Sequence, residues 1–595
     1  MRFVRLLAAT SLAALMIAVL PAATPNDIEA QELRGSDPPH TLNISWDRFL
    51  DHDEIGERLR LFERTWPHFL TLSSMGDSYG GRELWVMTIN NPDTGPELSK
   101  AGMFIEANVH GNEIQGGEIC LYTIWYLMEN YDSNPEIKRL VDERVFYIVP
   151  TINPDGRDYF LDHTGSGART GHVPVDSDGD GLFDEDGPDD LNGNGIIEQI
   201  RKYVPGEGTH RLNADDPRIM EAVAPWEKGD WVLLGSEGLD NDGDGRVNED
   251  PPGGYDPNRN YAADWQPEYI QGGSMAYPFR LPESRATEDF YAEHPNIAGM
   301  QSYHNSGGMI LRGPGSAWGG DYPRSDIQVY DELGENGERI LPWYDYLIIW
   351  QGLYTVHGGS IDWTSDGHGI ISFSNELWNG NKYFQSPLLG EQQSENERSP
   401  LFGQRSRYFF DDFLEFGENY NDWAPFDHPE YGEVEMGGWG KFFGRINPRF
   451  MSMEAFHRNM AFTLYHADEM PLMRMGESRV ESLGGGMYKV QVDITNERLM
   501  PSITARAMQN HVVRPDLLTV DGDVEVVAAG WVQDRNRPGK TQMIDQEDLN
   551  RIMIRSGHPG RTTKTIEYLV RGSGTMEVTY SSVKGGTVST SVRVR

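Results

Sequence analysis

Phe104-Ile105-Glu106-Ala107-Asn108-Val109 is a short apolar run, strand-like in pattern, that stops abruptly at His110-Gly111-Asn112-Glu113. Beyond it Ile114, Gly117, Cys120, Leu121, Ile124, Trp125, Leu127 and Met128 recur at roughly helical intervals. A second strand-like run, Val145 to Pro150, follows and ends in Asn153-Pro154-Asp155-Gly156. Strands alternating with helices predict an α/β fold, a mixed twisted sheet with helices packed on it. The first strand-to-helix turn also carries chemistry. His110 and Glu113 are three residues apart, so an imidazole and a carboxylate can converge on one cation. Zinc accepts both, and a catalytic zinc takes three protein ligands plus a water. Two ligands are too few, and such a pair also occurs by chance, so a third must come from elsewhere.

The N-terminus precedes this unit with Arg2 and Arg5, an apolar run from Leu6 to Leu20, and small residues at Ala22 and Ala23. That is the form of a secretory signal peptide within residues 1–30, with cleavage between about 23 and 30. The run is short for a membrane span, and no later stretch is long and apolar enough for one, so stable membrane insertion is not expected. A secreted or periplasmic location follows. Cys120 is the only cysteine, so no disulfide framework is available; on an apolar helix face it reads as a small core residue. The net charge of −41 excludes nucleic acid as a general partner, because phosphate binding wants Lys and Arg.

Before the central unit, Glu54 to Phe69 is an amphipathic helix candidate, and Met75 to Met87 reads as a hairpin with a Gly80-Gly81 turn. From 176 to 250 the texture changes, with 21 Asp and Glu against six Lys and Arg. Three segments there share one form: Asp176-x-Asp178-x-Asp180-Gly181, Asp190-x-Asn192-x-Asn194-Gly195 and Asp240-x-Asp242-x-Asp244-Gly245. Oxygen donors at alternate positions, closed by a glycine that permits a sharp turn, form the first half of a calcium loop. Asp184, Glu198 and Glu249 continue the acidic run, but none supplies the twelfth-position Glu of an EF-hand. Structural Ca2+ is expected, against the alternative of a solvated acidic loop.

Further on, Ala298 to Gly308 looks like a strand ending in His304 at a glycine-rich turn, and Phe373 to Leu377 is another apolar run. Residues 380–450 are rich in aromatics, Gly and Pro, with few regular patterns. Glu454 to His466 is a last helix candidate. After Pro471 come short alternating strands at Tyr488, Val524, Thr565 and Met576, which predict a β-sandwich over about 475–595.

His110-x-x-Glu113, Asn258-Arg259-Asn260, His304, Tyr354, Gly358-Gly359-Ser360-Ile361-Asp362-Trp363 and Glu376 stand in the order found in zinc carboxypeptidases. The chain over about 42–471, minus the acidic insert 176–250, resembles the carboxypeptidase A-like family, as a secreted, bacterial-type member. The resemblance implies one catalytic Zn2+ held by His110, Glu113 and His304, with Glu376 as general base. It implies that Asn258, Arg259 and Tyr354 grip the terminal carboxylate of a substrate, so that peptide or protein C-termini are the partners. A guanidinium suits that grip, because its planar fork binds a carboxylate with two parallel hydrogen bonds. It implies a cationic residue for the oxyanion, for which Arg169 fits the family's spacing and Arg201 is the alternative. Ile361 matches a position at which the family reads side-chain preference, and its apolar character implies apolar or aromatic C-terminal residues.

The sequence departs from the family at Asn112, where pancreatic members carry an Arg, and in the insert, which falls close to the expected cleft mouth. The short stretch between Ala23 and Leu42 leaves no room for a long inhibitory segment, so the enzyme is expected to be made active. Two other readings stand beside the carboxypeptidase. One is a zinc amidase acting on cell-wall or other specialised peptides. The other is a calcium-bound extracellular binding protein without catalysis, which the presence of all three ligands and the base opposes.

Overall fold

The structure is a computed structural model that describes residues 40–164, 169–176, 179–380, 400–534 and 540–595, with the backbone alone for 400–404. The signal-peptide expectation over 1–30, and Asp178, lie outside the described residues. The chain divides into two units, Met1–Ser45 and Trp46–Arg595. The described part of the first, 40–45, contains no helix or strand.

The second unit is built on an eight-stranded mixed sheet. Its strands are β1 (Leu70–Asp77), β2 (Glu83–Ile89), β3 (Ala101–Ala107), β4 (Arg144–Val149), β5 (Ile297–Asn305), β6 (Met309–Arg312), β7 (Asp345–Ile348) and β8 (Ile371–Leu377), in the order β1-β2-β4-β3-β5-β8-β6-β7. The four central strands β4, β3, β5 and β8 run parallel, and the hairpin expected around Gly80-Gly81 forms the antiparallel edge β1–β2. Every residue of β3, β4 and β5 is buried. Strands of a parallel sheet covered on both faces show such continuous burial.

Helix α1 (His52–Thr65) starts in a capping box, with Asp51 accepting from the Glu54 amide and Glu54 reaching back to the Asp51 amide. Helix α2 (Gln115–Asn130) follows the His110 turn and lies on β3 and β5. Its closeness requires Gly116, where a Cβ would come within 2.6 Å of the Tyr303 Cβ and 2.8 Å of the Ala107 Cβ. Helices α3 (Pro154–Asp162), α4 (Ser360–His368) and α5 (Ser452–Asp468) complete the cover used below. β4 and β5 lie on opposite sides of β3, so the strand order reverses there. In open α/β sheets the crevice at the carboxyl ends of such strands is where ligands bind.

The acidic insert and the aromatic segment expected to be irregular combine. Gln199–Gly208, His210–Leu212, Met220–Ala222 and Gly229–Ser236 join Tyr420–His428 and Gly432–Trp439 in a six-stranded antiparallel sheet. The expectation of few regular patterns over 380–450 is therefore corrected: a helix, Pro400–Leu414, and this hairpin occupy much of it. A bulge between Asn421 and Ala424 breaks the alternation that would have revealed the first strand. Val434 and Met436 bury against Ile200 across the pairing.

From Met473 two antiparallel sheets, of five and four strands, face each other across one core that includes Val490, Ile566, Tyr568, Val578 and Tyr580. The whole is an α/β domain followed by a β-sandwich. The sandwich is tied to the central sheet's helices by Arg506, whose guanidinium pairs with Asp366 at 2.6 and 2.9 Å.

Candidate active site

The turn after β3 is held in shape by Asn108, whose φ of 58° lies in the left-handed region that Asn tolerates better than most residues. Its side-chain amide donates to the His110 carbonyl at 2.7 Å and to the Gly111 carbonyl at 3.1 Å, and its oxygen accepts from Thr151 at 3.0 Å. Gly111 has no side chain because α3 leaves no space: a Cβ would lie 2.5 Å from the Gly156 backbone. The Gly111 amide also donates to the Arg169 carbonyl at 3.0 Å, which brings the chain entering the acidic insert against this turn.

His110, Glu113 and His304 converge, and all three are buried. His110 Nδ1 is 3.0 Å from one Glu113 oxygen, His304 Nδ1 is 2.8 Å from the other, and the two Nδ1 atoms are 3.1 Å apart. The three donor atoms point at one common centre, the arrangement a metal ion takes. One cation at that centre satisfies them, and a two-His, one-Glu set suits zinc. The outer nitrogen of His110 meets Asp256 at 2.9 Å, the buttress that fixes a ligand histidine's tautomer. Burial works against charge on Asp256, yet His110, Arg259 and Arg169 hold its carboxyl well below the usual range.

Asp256 also caps the short turn Pro257–Arg259, accepting from the Asn258 amide at 2.8 Å. Asn258 in turn accepts from the Ser360 amide at 2.8 Å, at the start of α4. Gly358 sits at φ 69° with its would-be Cβ 2.4 Å from the Arg259 carbonyl, so a glycine is required for the two motifs to meet. Arg259 is buried, with Nη1 on the Asn258 carbonyl at 2.8 Å and Nη2 3.6 Å from Asp256. Tyr354 is half exposed at the rim. One cavity is lined by His110, His304, Arg169, Asn258, Arg259, Tyr354, Ile361 and Glu376 together. Its walls include Leu311, Ile349, Leu353 and Val356. Asp362 at this cavity is occupied by the Gly315 amide at 2.8 Å and the Tyr322 hydroxyl at 3.2 Å, and burial pushes its carboxyl up to about 7.

Arg169 is inside the site, with Nη1 on Glu113 and Nε on Asp256, both at 3.1 Å. Arg201 is not. It pairs with Glu435 and stacks on Trp231 and Trp423 in the insert's own sheet, which removes it as a candidate. Glu376 comes from the end of β8, in register with His304. Burial, reinforced by the Glu113 carboxylate, pushes its carboxyl up to about 7, near the value that suits a general base at neutral pH.

The family description for zinc carboxypeptidases matches residues 55–187 and 230–397, more than half of the chain. The chain belongs to the zinc carboxypeptidase family. Among similar proteins, human carboxypeptidase D is 32% identical over 133 residues, 22% of this chain and 9% of that protein. A zinc carboxypeptidase from Saccharothrix mutabilis subsp. capreolus is 39% identical over 100 residues, 17% of this chain and 23% of that protein. The aligned stretches thus span less than a quarter of either relative. Among solved structures, carboxypeptidase A from Helicoverpa armigera superposes with a TM-score of 0.38 at 17% identity, covering 66% of this chain and 79% of that one. Residues 473–593 match a family described only as a domain of unknown function.

Two residues of this family member's site escaped the sequence reading. Asp256 stands two positions before Asn258-Arg259, and its contact with His110 spans 146 residues. Arg445 has no motif around it, yet its guanidinium donates to the Asn112 side chain at 2.8 Å and approaches Glu113 to 3.7 Å.

The three acidic loops share one feature among the described residues. Asp176, Asp190 and Asp240 each accept two backbone amides, the second from Gly181, Gly195 or Gly245 at 3.1, 2.9 and 3.0 Å. Those glycines all have φ between 85° and 100°, as the sharp turn demands. Carboxylates converge in three sets: Asp180, Glu185 and Asp242; Asp186, Asp240 and Asp242; and Asp242, Asp244 and Glu249. Asp176, Asp184 and Asp190 belong to none of these sets; the Asn192 side-chain amide donates to Glu198, and the Asn194 backbone amide donates to the Asn192 oxygen. Among the described residues no helix is long and apolar enough to cross a membrane.

Proposed function

We propose that the chain is a zinc-dependent metallocarboxypeptidase that hydrolyses the C-terminal peptide bond of peptides and proteins. The observation that carries this reading is the single cavity that gathers two metal-ligand histidines, Glu376, Arg169 and the Asn258-Arg259-Tyr354 group. Held by His110, Glu113 and His304, zinc supplies a Lewis acid that acidifies water and polarises a carbonyl. Glu376 takes the proton of the attacking water and delivers it to the departing amine nitrogen. Among the described residues Arg169 uses Nε and Nη1 to hold Asp256 and Glu113, and its guanidinium faces the developing oxyanion. Asn258 and Arg259 hold the substrate's terminal carboxylate, and Tyr354 closes over it from the rim. The apolar walls around Ile361 favour apolar or aromatic C-terminal residues. The Asp180, Asp240, Asp242 and Asp244 carboxylates, with Glu185, Asp186 and Glu249, bind structural calcium; the converging sets and repeated loop geometry support this. The Leu6–Leu20 run supports action outside the cytoplasm.

Two blocked dipeptides ending in Phe, one with a free carboxylate and one amidated, test the reading on zinc-loaded protein. Cleavage of the free acid alone is expected. Equal cleavage of both overturns the exopeptidase reading in favour of a broader amidase, and cleavage of neither with zinc verified removes simple peptides as substrates.

A further inference from the structure

His110 has a carboxylate behind it; His304 has one too, at one remove. Glu106 on β3 and Ser302 on β5 are register partners in the parallel pair, so their side chains leave the sheet on one face. His304 is two residues beyond Ser302 and shares that face. Ser302 Oγ lies 3.0 Å from Glu106 Oε1 and 3.2 Å from His304 Nε2, and all three side chains are buried.

The direction of this chain follows from the metal site. His304 turns Nδ1 to Glu113 and His110, so Nδ1 carries the ligand lone pair and the neutral ring carries its proton on Nε2. That N–H needs an acceptor, and Ser302 Oγ is the one within reach. A serine hydroxyl has a single proton, which is then left for Glu106. The order is His304 Nε2–H to Ser302 Oγ, and Ser302 O–H to Glu106 Oε1. Reversing it would place a proton on Nδ1 and abolish ligation.

A fully buried carboxylate is expensive unless something positive compensates it. No cation pairs with Glu106 among the described residues, and its second oxygen has no hydrogen-bond partner. The link of Glu106 to the metal site runs through Ser302 and His304. Packing alone would be better served by an apolar residue at this position in β3.

We propose that Glu106 is a positioning residue for the metal site: through Ser302 it fixes the tautomer and ring orientation of His304 and so strengthens metal binding. The inference rests on the zinc reading of His110, Glu113 and His304. Outer partners of ligand histidines typically contribute 10- to 100-fold in metal affinity.

Zinc affinity of the purified full chain, measured by competition with a chromophoric chelator, tests this without any activity assay. Ser302→Ala and Glu106→Leu are each expected to weaken zinc binding by about 10- to 100-fold, and the double variant no more than either alone, because both cut one chain. The metal-free Glu106→Leu protein is expected to melt no lower than the metal-free parent, since an uncompensated buried charge has gone. A purely structural role gives the opposite pattern, a lower metal-free melting temperature with parental zinc affinity, and overturns the proposal. Parental affinity in Ser302→Ala overturns it as well. His304→Ala separates the two readings: if that variant keeps the parent's zinc affinity, the metal-site assignment itself falls, whereas loss only in His304→Ala removes the role of Glu106 alone.

Discussion

Arg445 and Asn112 are 333 residues apart in sequence and 2.8 Å apart in space, guanidinium to side-chain oxygen. The same guanidinium stands 3.7 Å from Glu113, on whose Oε1 Arg169 also sits at 3.1 Å. Two cations therefore flank the Glu113 carboxylate, one just before the acidic insert and one from the segment after the hairpin 420–439. Both also act on Glu376, pulling its proton affinity down against burial and the Glu113 charge.

Removing Arg445 is expected to raise the pKa of Glu376 further. The base is active when ionised, so its acid limb lies where the carboxylate gains its proton. A higher pKa moves that limb to higher pH. Arg445→Gln is expected to lose several-fold more kcat/KM at pH 6 than at pH 8.5. A pH–rate profile checks it; a uniform loss at all pH values would mean that Arg445 does not act through the charge of Glu376.

Arg169 and Arg201 separate cleanly. Loss of an oxyanion donor typically costs about 10²–10³-fold in kcat. Arg169→Gln is expected to fall in that range with KM changed far less, while Arg201→Gln, confined to the insert sheet, keeps kcat within about threefold of the parent. Steady-state kinetics on one blocked dipeptide decides it, and equal losses in the two variants would return Arg201 to candidacy.

The convergence of His110, Glu113 and His304 was legible because its signals are local. His110 and Glu113 share one turn, and His304 ends an uninterrupted apolar strand, so strand pattern and ligand chemistry coincide. The central sheet and the sandwich were legible for the same reason: runs of buried residues and short alternating strands carry their period in the chain itself. What was hidden is relational. Asp256 reaches His110 across 146 residues, Ser302 reaches Glu106 across 196, and neither distance leaves a periodic trace. The pairing of Gln199–Gly208 with Gly432–Trp439 joins two segments that each look irregular alone. Arg201 showed the converse, a residue plausible by spacing that the fold places on Glu435.

The apolar cavity gives a specificity test. One missing methylene in a hydrophobic pocket changes discrimination by about 10- to 200-fold, and Ile361→Ala removes three carbons. Ile361→Ala is expected to lower kcat/KM for a C-terminal Phe or Leu by about tenfold while leaving a C-terminal Ala nearly unchanged. Release of Lys and Arg in preference to Phe by the parent enzyme would remove the apolar assignment altogether.

Calcium and zinc are expected to separate in stability and catalysis. The Asp242 carboxylate belongs to all three converging sets, and like charges held that close repel unless a cation lies among them. Any ion that binds only the folded chain raises its melting temperature by mass action. The insert's sheet includes Gly432–Trp439, and Arg445 follows directly after it, so loosening the insert reaches the cleft only indirectly. A calcium-selective chelator is therefore expected to lower the melting temperature by several degrees while kcat on a dipeptide at 25 °C falls less than twofold. Asp242→Asn should reproduce that shift without chelator and make the protein insensitive to added calcium. Identical melting curves with and without calcium would leave the acidic loops as solvated turns and nothing more.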